Sequence, residues 1–178
     1  TQKNTVYAFA RDGVGSPEAF LLRLEQHFTG GFEWVSGGRW AAEQYFWNRI
    51  SDHDHAFSKD KSEIRTAVLV SEAGRQHLVS GISGLTVLKS PGSEFSGFPR
   101  DRYATLAETT HRIVATDVTA KWRYAPDTDV SSLDFNALYA SARTLLLDAF
   151  ANTHSLALQQ SMFEMGKAVI AAHREIDE

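Results

Sequence analysis

Several groups of residues in this chain have the types and spacing that chemistry needs. His53-Asp54-His55, preceded by Asp52, puts two imidazoles at i and i+2 in a polar turn. Such a pair can share a metal ion, but no third ligand stands at a suitable spacing, His77 being only a guess, and hydrogen bonding in an exposed turn explains the group better. Gly13-Val14-Gly15 comes just before a predicted helix, as a dinucleotide-binding loop would. Glu18 stands where the third glycine belongs, so a phosphate would meet a carboxylate, and Ser16-Pro17 accounts for the stretch as helix-start punctuation. The stretch Gly81-Ile82-Ser83-Gly84 closes one residue too soon for a G-x-S-x-G nucleophile elbow.

Ser90 to Arg112 carries more. Phe95 and Phe98 sit in a Gly-rich loop, where large aromatics are not normally left in water, and Arg112 leads directly into a strand. Gln159, after Leu158, is an amide near the start of an apolar helix, where it must find partners if buried. Composition alone favours Phe95 as a lid on the core with Arg112 supporting a helix C-terminus.

The elements that must position these residues can be read from periodicity. Ser16 (N-cap), Pro17 and Glu18 open a helix over about 17–28, with Leu21, Leu24 and Phe28 on one side and Gly30-Gly31 at its end. Lys3 to Phe9 already reads as part of an element. Residues 32–47 are aromatic-rich and strand-like, with a bulge or kink expected at Gly37-Gly38, and 64–70 and 77–89 are further strands, Pro91-Gly92 turning the chain afterwards. In 114–124, Val114, Thr116, Val118, Ala120, Trp122 and Tyr124 alternate with polar residues, as in a half-buried antiparallel strand. Thr105-x-x-Glu108 reads as a capping box, predicting a short helix before that strand. A loop from Pro126 to Asp134 leads to two closing helices, one from Phe135 to about Ala149 and one carrying Leu158, Met162, Met165 and Val169. Strands follow one another without crossover helices, so the fold class is α+β, with antiparallel sheets and helices packed on one face.

Composition narrows the function. The 178 residues hold 18 Lys and Arg against 22 Asp and Glu, a formal net charge of −4, so no cationic surface for nucleic acid is expected. With no cysteine, thiol catalysis, disulfides and Cys-ligated metals are excluded. Apolar runs are far shorter than a membrane span, and 43% hydrophobic residues supply a real core, so a cytoplasmic globular protein without membrane or nucleic-acid partners is expected. The chain opens without methionine and stops inside a helical pattern, which suggests a piece of a longer polypeptide.

One resemblance runs through most of these residues in order. Ser83-Gly84-Leu85-Thr86-Val87-Leu88-Lys89-Ser90, then Phe95-Ser96-Gly97-Phe98, Arg100-Asp101, Tyr103, Arg112-Ile113 and Ala115-Thr116-Asp117-Val118 resemble the urate oxidases (uricases), most like the bacterial members. Lys3-Asn4-Thr5-Val6-Tyr7, the turn His53 to Phe57, and Ala157-Leu158-Gln159 with Met162 and Met165 are similar to the same family. The resemblance implies the tunnelling fold: residues 1–72 would be the second part of one repeat and 73–178 the first part of another. It implies oxidation of urate by O2 to 5-hydroxyisourate and hydrogen peroxide, with no metal and no cofactor, in a homotetramer with sites at subunit interfaces. Phe95 would stack on the purine, Arg112 would grip the anion, Leu158 would offer its backbone N–H, and Gln159 would pair with the purine edge. The family's catalytic lysine, threonine and histidine have no counterpart between Thr1 and Glu178. The competing readings are a zinc-dependent tunnelling-fold enzyme of pterins or purines and a non-catalytic ligand-binding module.

Overall fold

The computed structural model of the protein describes residues 1–178, whose elements run α1 (Gln2–Arg11), α2 (Pro17–Gly31), β1 (Gly37–Gln44), β2 (Trp47–Arg49), β3 (Phe57–Lys59), β4 (Ile64–Glu72), β5 (Arg75–Lys89), β6 (Val114–Arg123), α3 (Phe135–Asn152) and α4 (Leu158–Ala172). A single 3-10 turn, Val130–Ser132, lies between β6 and α3. Four strands form one antiparallel sheet in the order β1-β4-β5-β6, while β2 and β3 make a separate two-stranded ribbon. The expected α+β architecture is therefore present. Its helices α2, α3 and α4 share the core on one face, whereas α1 buries no residue and meets α2 through Phe9 against His27, 4.9 Å between centroids.

Local chemistry explains most boundaries. Ser16 Oγ accepts from the Ala19 amide at 3.2 Å with Pro17 in the first turn, so α2 begins where the cap and the proline place it. The helix runs on through Gly30-Gly31 rather than ending before them. After it, Phe32 to Ser36 is a turn rather than strand, closed by the Val35 amide on the Phe32 carbonyl at 2.9 Å, which leaves Trp34 82% exposed. Gly37-Gly38 opens β1 instead of kinking its middle. A Cβ at Gly37 would sit 2.2 Å from the Ser71 carbonyl oxygen, so the close pairing with β4 requires glycine there. The hairpin β4–β5 closes through Ala73 and Gly74, both at positive φ, as a tight two-residue hairpin turn requires.

In β6, Val114, Thr116, Val118, Ala120 and Trp122, with Tyr124 just after it, all face the core side, as their spacing predicts, and the intervening residues are exposed. No helix forms at 105–113. Thr109 instead exchanges backbone hydrogen bonds with Phe95, and Leu106 and Ile113 are 64% and 68% exposed. One helical turn there would have had no apolar face to bury, so tertiary pairing of the backbone prevails. The closing helices lie where expected, although Leu158 and Met162 at the start of α4 remain exposed while Met165 and Val169 are buried.

The core is one cluster. Leu69, Ile82, Leu85, Val87 and Trp122 from the sheet meet Ala142, Leu146, Phe150, Met165 and Val169 from α3 and α4, with Leu21 of α2 at one end. Burying each large apolar side chain contributes roughly 1.5–3 kcal/mol. Inside the core lies a polar network. Glu18 and Arg65 are almost wholly buried, with Arg65 Nη2 donating to Glu18 Oε2 at 2.7 Å. Arg65 also donates to Asn136 Oδ1 at 2.7 Å and to the Phe135 carbonyl at 3.0 Å, and its guanidinium lies over the Tyr139 ring. Ser80 donates to the other Glu18 oxygen at 2.7 Å and meets the Tyr124 hydroxyl at 2.9 Å, which also accepts from Trp122 Nε1. Nearby, Arg143 pairs with the buried Glu63 at 2.6 Å.

Two outcomes follow from this core. Glu18→Ala strands a buried guanidinium and should destabilise the protein by about 3–5 kcal/mol in denaturant titrations; a loss under ~1 kcal/mol would show that the network carries no structural weight. The buried Tyr139 hydroxyl has no protein hydrogen-bond partner, and burial pushes its pKa to about 12. Since the folded state keeps this proton while the unfolded chain loses it, the group's contribution to stability falls as pH rises from about 10 to about 12. Tyr139→Phe should leave neutral-pH stability unchanged or higher and remove that alkaline slope, as pH-dependent unfolding would show.

Candidate functional site

The candidate residues come together around one short extended strap, Ser93 to Phe95. On one side of it Phe95 and Thr109 exchange backbone hydrogen bonds of 2.7 and 3.0 Å, and the Arg112 amide donates to the Ser93 carbonyl at 3.1 Å. On the other, Ser155 donates its amide to the Gly92 carbonyl at 2.9 Å and accepts from the Glu94 amide at 2.7 Å. The strap thus ties the segment entering β6 to the loop between α3 and α4. Ser93 and Ser155 are each 1% exposed, so this junction is built into the protein rather than laid on its surface.

Arg112 is fixed by more than its backbone. Its Nε donates to Ser93 Oγ at 2.9 Å, and its guanidinium carbon stands 5.5 Å from the centroid of the Phe95 ring. Phe95 stacks on Phe98 with 4.4 Å between centroids and an interplanar angle of 21°. The ring is therefore held from behind by a second aromatic and faced by a cation, and it is half-buried rather than sealed in the core. Nε is the only guanidinium nitrogen of Arg112 with a protein hydrogen bond, so the two-donor end of the guanidinium is unengaged.

Leu158 and Gln159 are the first two residues of α4, which follows Ser155 by three positions. The N-cap is Ala157, which offers no side-chain cap, and the Leu158 and Gln159 amides have no carbonyl partner. These are the donors that every helix start leaves free, and they carry the positive end of the helix dipole. Ser155 Oγ donates to the Ala157 carbonyl at 2.9 Å, and Gln160 Oε1 accepts from the Leu156 amide at 3.0 Å, which shapes the entrance to the helix. The Leu158 side chain lines a cavity of about 190 Å3 with Thr116, Val118, Leu146, Met162 and Met165. Phe95, Arg112 and Gln159 lie outside that cavity. Gln159 is exposed, and no hydrogen bond joins its side chain to Arg112. Phe95 and Arg112 are thus in contact, and the α4 start is connected to them through the strap.

Lys89, the last residue of β5, anchors the loop from below. Its Nζ donates to the Phe150 and Thr153 carbonyls at 3.1 and 2.6 Å, completing the C-terminus of α3, and desolvation holds its pKa below the ordinary lysine value. Residues that the sequence did not single out therefore matter to the site: Ser93, Ser155, Lys89, and a contact between Glu94 and His154. His53 and His55 lie in the exposed turn between β2 and β3, His77 lies on β5, and no three His, Asp or Glu side chains gather anywhere in the structure as a metal site would need. Gly13-Val14-Gly15 is the exposed approach to α2, with Arg23 donating to the Gly13 carbonyl at 2.7 Å.

The structure resembles solved proteins of one kind. It superposes on a uricase from Arthrobacter globiformis with a TM-score of 0.92 at 68% identity, covering 99% of this chain and 60% of that one. It also matches the urate oxidase of Bacillus sp. TB-90 with a TM-score of 0.81 at 22% identity, which speaks to the fold alone. These matches define the class as an α+β protein of the tunnelling fold. The uricase family model matches residues 78–178, and the chain belongs to the uricase family. In sequence it is 68% identical over its whole length to the Arthrobacter globiformis uricase, of which it spans 58%, and 34% identical to the Aspergillus flavus uricase, of which it spans 62%.

Ser93→Ala should free the Arg112 side chain without unfolding the chain, costing about 1–2 kcal/mol of stability because a buried acceptor is lost. A structure of that variant with Arg112 unmoved over Phe95 would show that the Ser93 hydroxyl does not position it.

Proposed function

We propose that the protein containing this chain is a urate oxidase, in which residues 1–178 supply the wall that grips the substrate. What carries the reading is the Arg112–Phe95 pair, a cation fixed by a buried serine over a half-buried aromatic ring, in a chain of the uricase family. Urate is flat, rich in carbonyl oxygens and anionic. Phe95 offers it a stacking face, and Arg112 offers two parallel N–H donors to its oxygen and nitrogen edge. The free N–H of Leu158 and the side-chain amide of Gln159, which both donates and accepts, suit the remaining edge of the ring.

In this proposal two electrons pass from urate to O2, a water oxygen adds to the ring carbon, and the products are 5-hydroxyisourate and hydrogen peroxide. The wall's contribution is to hold the ring flat and to stabilise its negative charge while electrons leave it. The reaction as written calls for no metal and no organic cofactor. We assign the proton relay to the part of the relatives' length that this chain does not span and to a neighbouring subunit. Residues 1–72 and 73–178 would then belong to two tandem repeats, meeting at the Ala73-Gly74 turn. We place the whole protein in a homotetramer with sites at subunit interfaces, as the resemblance to the family implies. No helix is long and apolar enough to cross a membrane, and we place the protein in the cytoplasm.

The test is consumption of urate by the full-length protein in aerated buffer, followed by loss of near-ultraviolet absorbance and release of hydrogen peroxide. Arg112→Ala should lower kcat/KM on the order of a hundredfold, about 3 kcal/mol of transition-state stabilisation, and Arg112→Lys should not restore it because the planar fork is lost. Unchanged kcat/KM in Arg112→Ala would falsify the assignment.

A further inference from the structure

Glu94 precedes Phe95 in the extended strap, so the two side chains point to opposite sides. Phe95 meets Arg112, and Glu94 meets His154, 60 residues away in the loop before α4, with Oε1 and Nε2 2.5 Å apart. Ser96 Oγ also donates to the other Glu94 oxygen at 3.2 Å. Alongside the backbone bonds of Ser155, this is the side-chain contact that crosses from the strap to the loop carrying Leu158 and Gln159. The His154 side chain is 59% exposed and that of Glu94 only 22%, so the carboxylate is the sheltered partner.

We infer that Glu94 and His154 are a positioning pair, clamping the Phe95 strap to the start of α4 and so setting the grip on a flat anion. The inference rests on the substrate-wall reading above. The coupling is mechanical and short. A shift of the strap at Glu94 carries Ser93 and Phe95 with it, and Ser93 holds Arg112 through two hydrogen bonds. One contact outside the ring-binding face therefore sets the spacing between the aromatic, the cation and the helix amides.

The titratable groups acting on Glu94 are His154 from the α3–α4 loop and His111 from the segment entering β6. The hydrogen bond from His154 chiefly holds the Glu94 carboxyl below its ordinary value, so it is ionised throughout the neutral range.

The test uses the full-length protein and measures KM and kcat for urate, together with the dissociation constant of xanthine, a flat purine that need not turn over. His154→Ala should raise KM and the xanthine constant about three- to tenfold while kcat stays within about twofold. His154→Gln retains a donor near the Nε2 position and should restore most of the lost affinity. Wild-type values in His154→Ala would overturn the inference. So would a His154→Gln variant no better than His154→Ala, or a fall in kcat or melting temperature with KM unmoved. A wild-type protein that binds xanthine through His154 but consumes no urate would retire the oxidase reading and leave the pair standing. Binding of neither purine would retire both.

Discussion

The buried ion pair of Glu18 and Arg65 is the constraint around which the core is arranged. Glu18 comes from the first turn of α2, Arg65 from β4, and their direct partners from β5 and α3, with Tyr124, just past β6, joined through Ser80. Helices α2 and α3 and strands β4 and β5 are thus bound to one carboxylate or one guanidinium. Such a pair adds little net stability over a well-packed apolar substitute, because desolvating two charges offsets most of their attraction. What it does add is register. Sliding β4 by one residue would turn Arg65 to the solvent face and leave Glu18 alone in the core, so only one arrangement of helix on sheet is tolerated. It also explains why Glu18 interrupts an otherwise dinucleotide-like loop: the carboxylate points into the protein and does not face a ligand.

With the sheet fixed in that way, the site is assembled at the far end of β5. Lys89 pins the end of α3, the chain turns at Pro91-Gly92, and the strap from Ser93 to Phe95 then joins two segments that are distant in sequence. Few of these contacts are apolar. The site depends on backbone pairing and on two buried serines, which hold it by direction rather than by area. A hydrophobic lid could cover a ring, but it could not set the angle of a guanidinium. That task falls to the Ser93 hydroxyl.

How much of this the sequence shows depends on whether the cause is local. The cap at Ser16, the alternation in β6 and the spacing of α3 are written in consecutive residues, and all three elements stand where those residues put them. The stretch 105–113 has a capping box just as clear, yet it is not helical, because Thr109 pairs with Phe95 fourteen residues earlier and backbone pairing outweighs a single capped turn. The aromatic-rich run 32–47 forms strand only from Gly37 onward, since Trp34 in the turn before it has no neighbour to pack on except other exposed rings. Phe95 and Arg112 could be singled out by type and setting. Ser93 could not, being a small polar residue in a loop full of them, and neither could the contact of Glu94 with His154, which exists only after α3 has folded back on the sheet.

In the proposed wall, Phe95 would give a flat anion a stacking face, Arg112 a fork of donors and the start of α4 an edge of amides, all carried by segments that the core holds in place. None of the titratable groups brought near them is a base of perturbed acidity aimed at the space above Phe95; the nearest, Glu94, is turned the other way and occupied by His154. A wall of this kind binds and orients, and in the proposed oxidase the reactive groups come from the rest of the protein and from a neighbouring subunit.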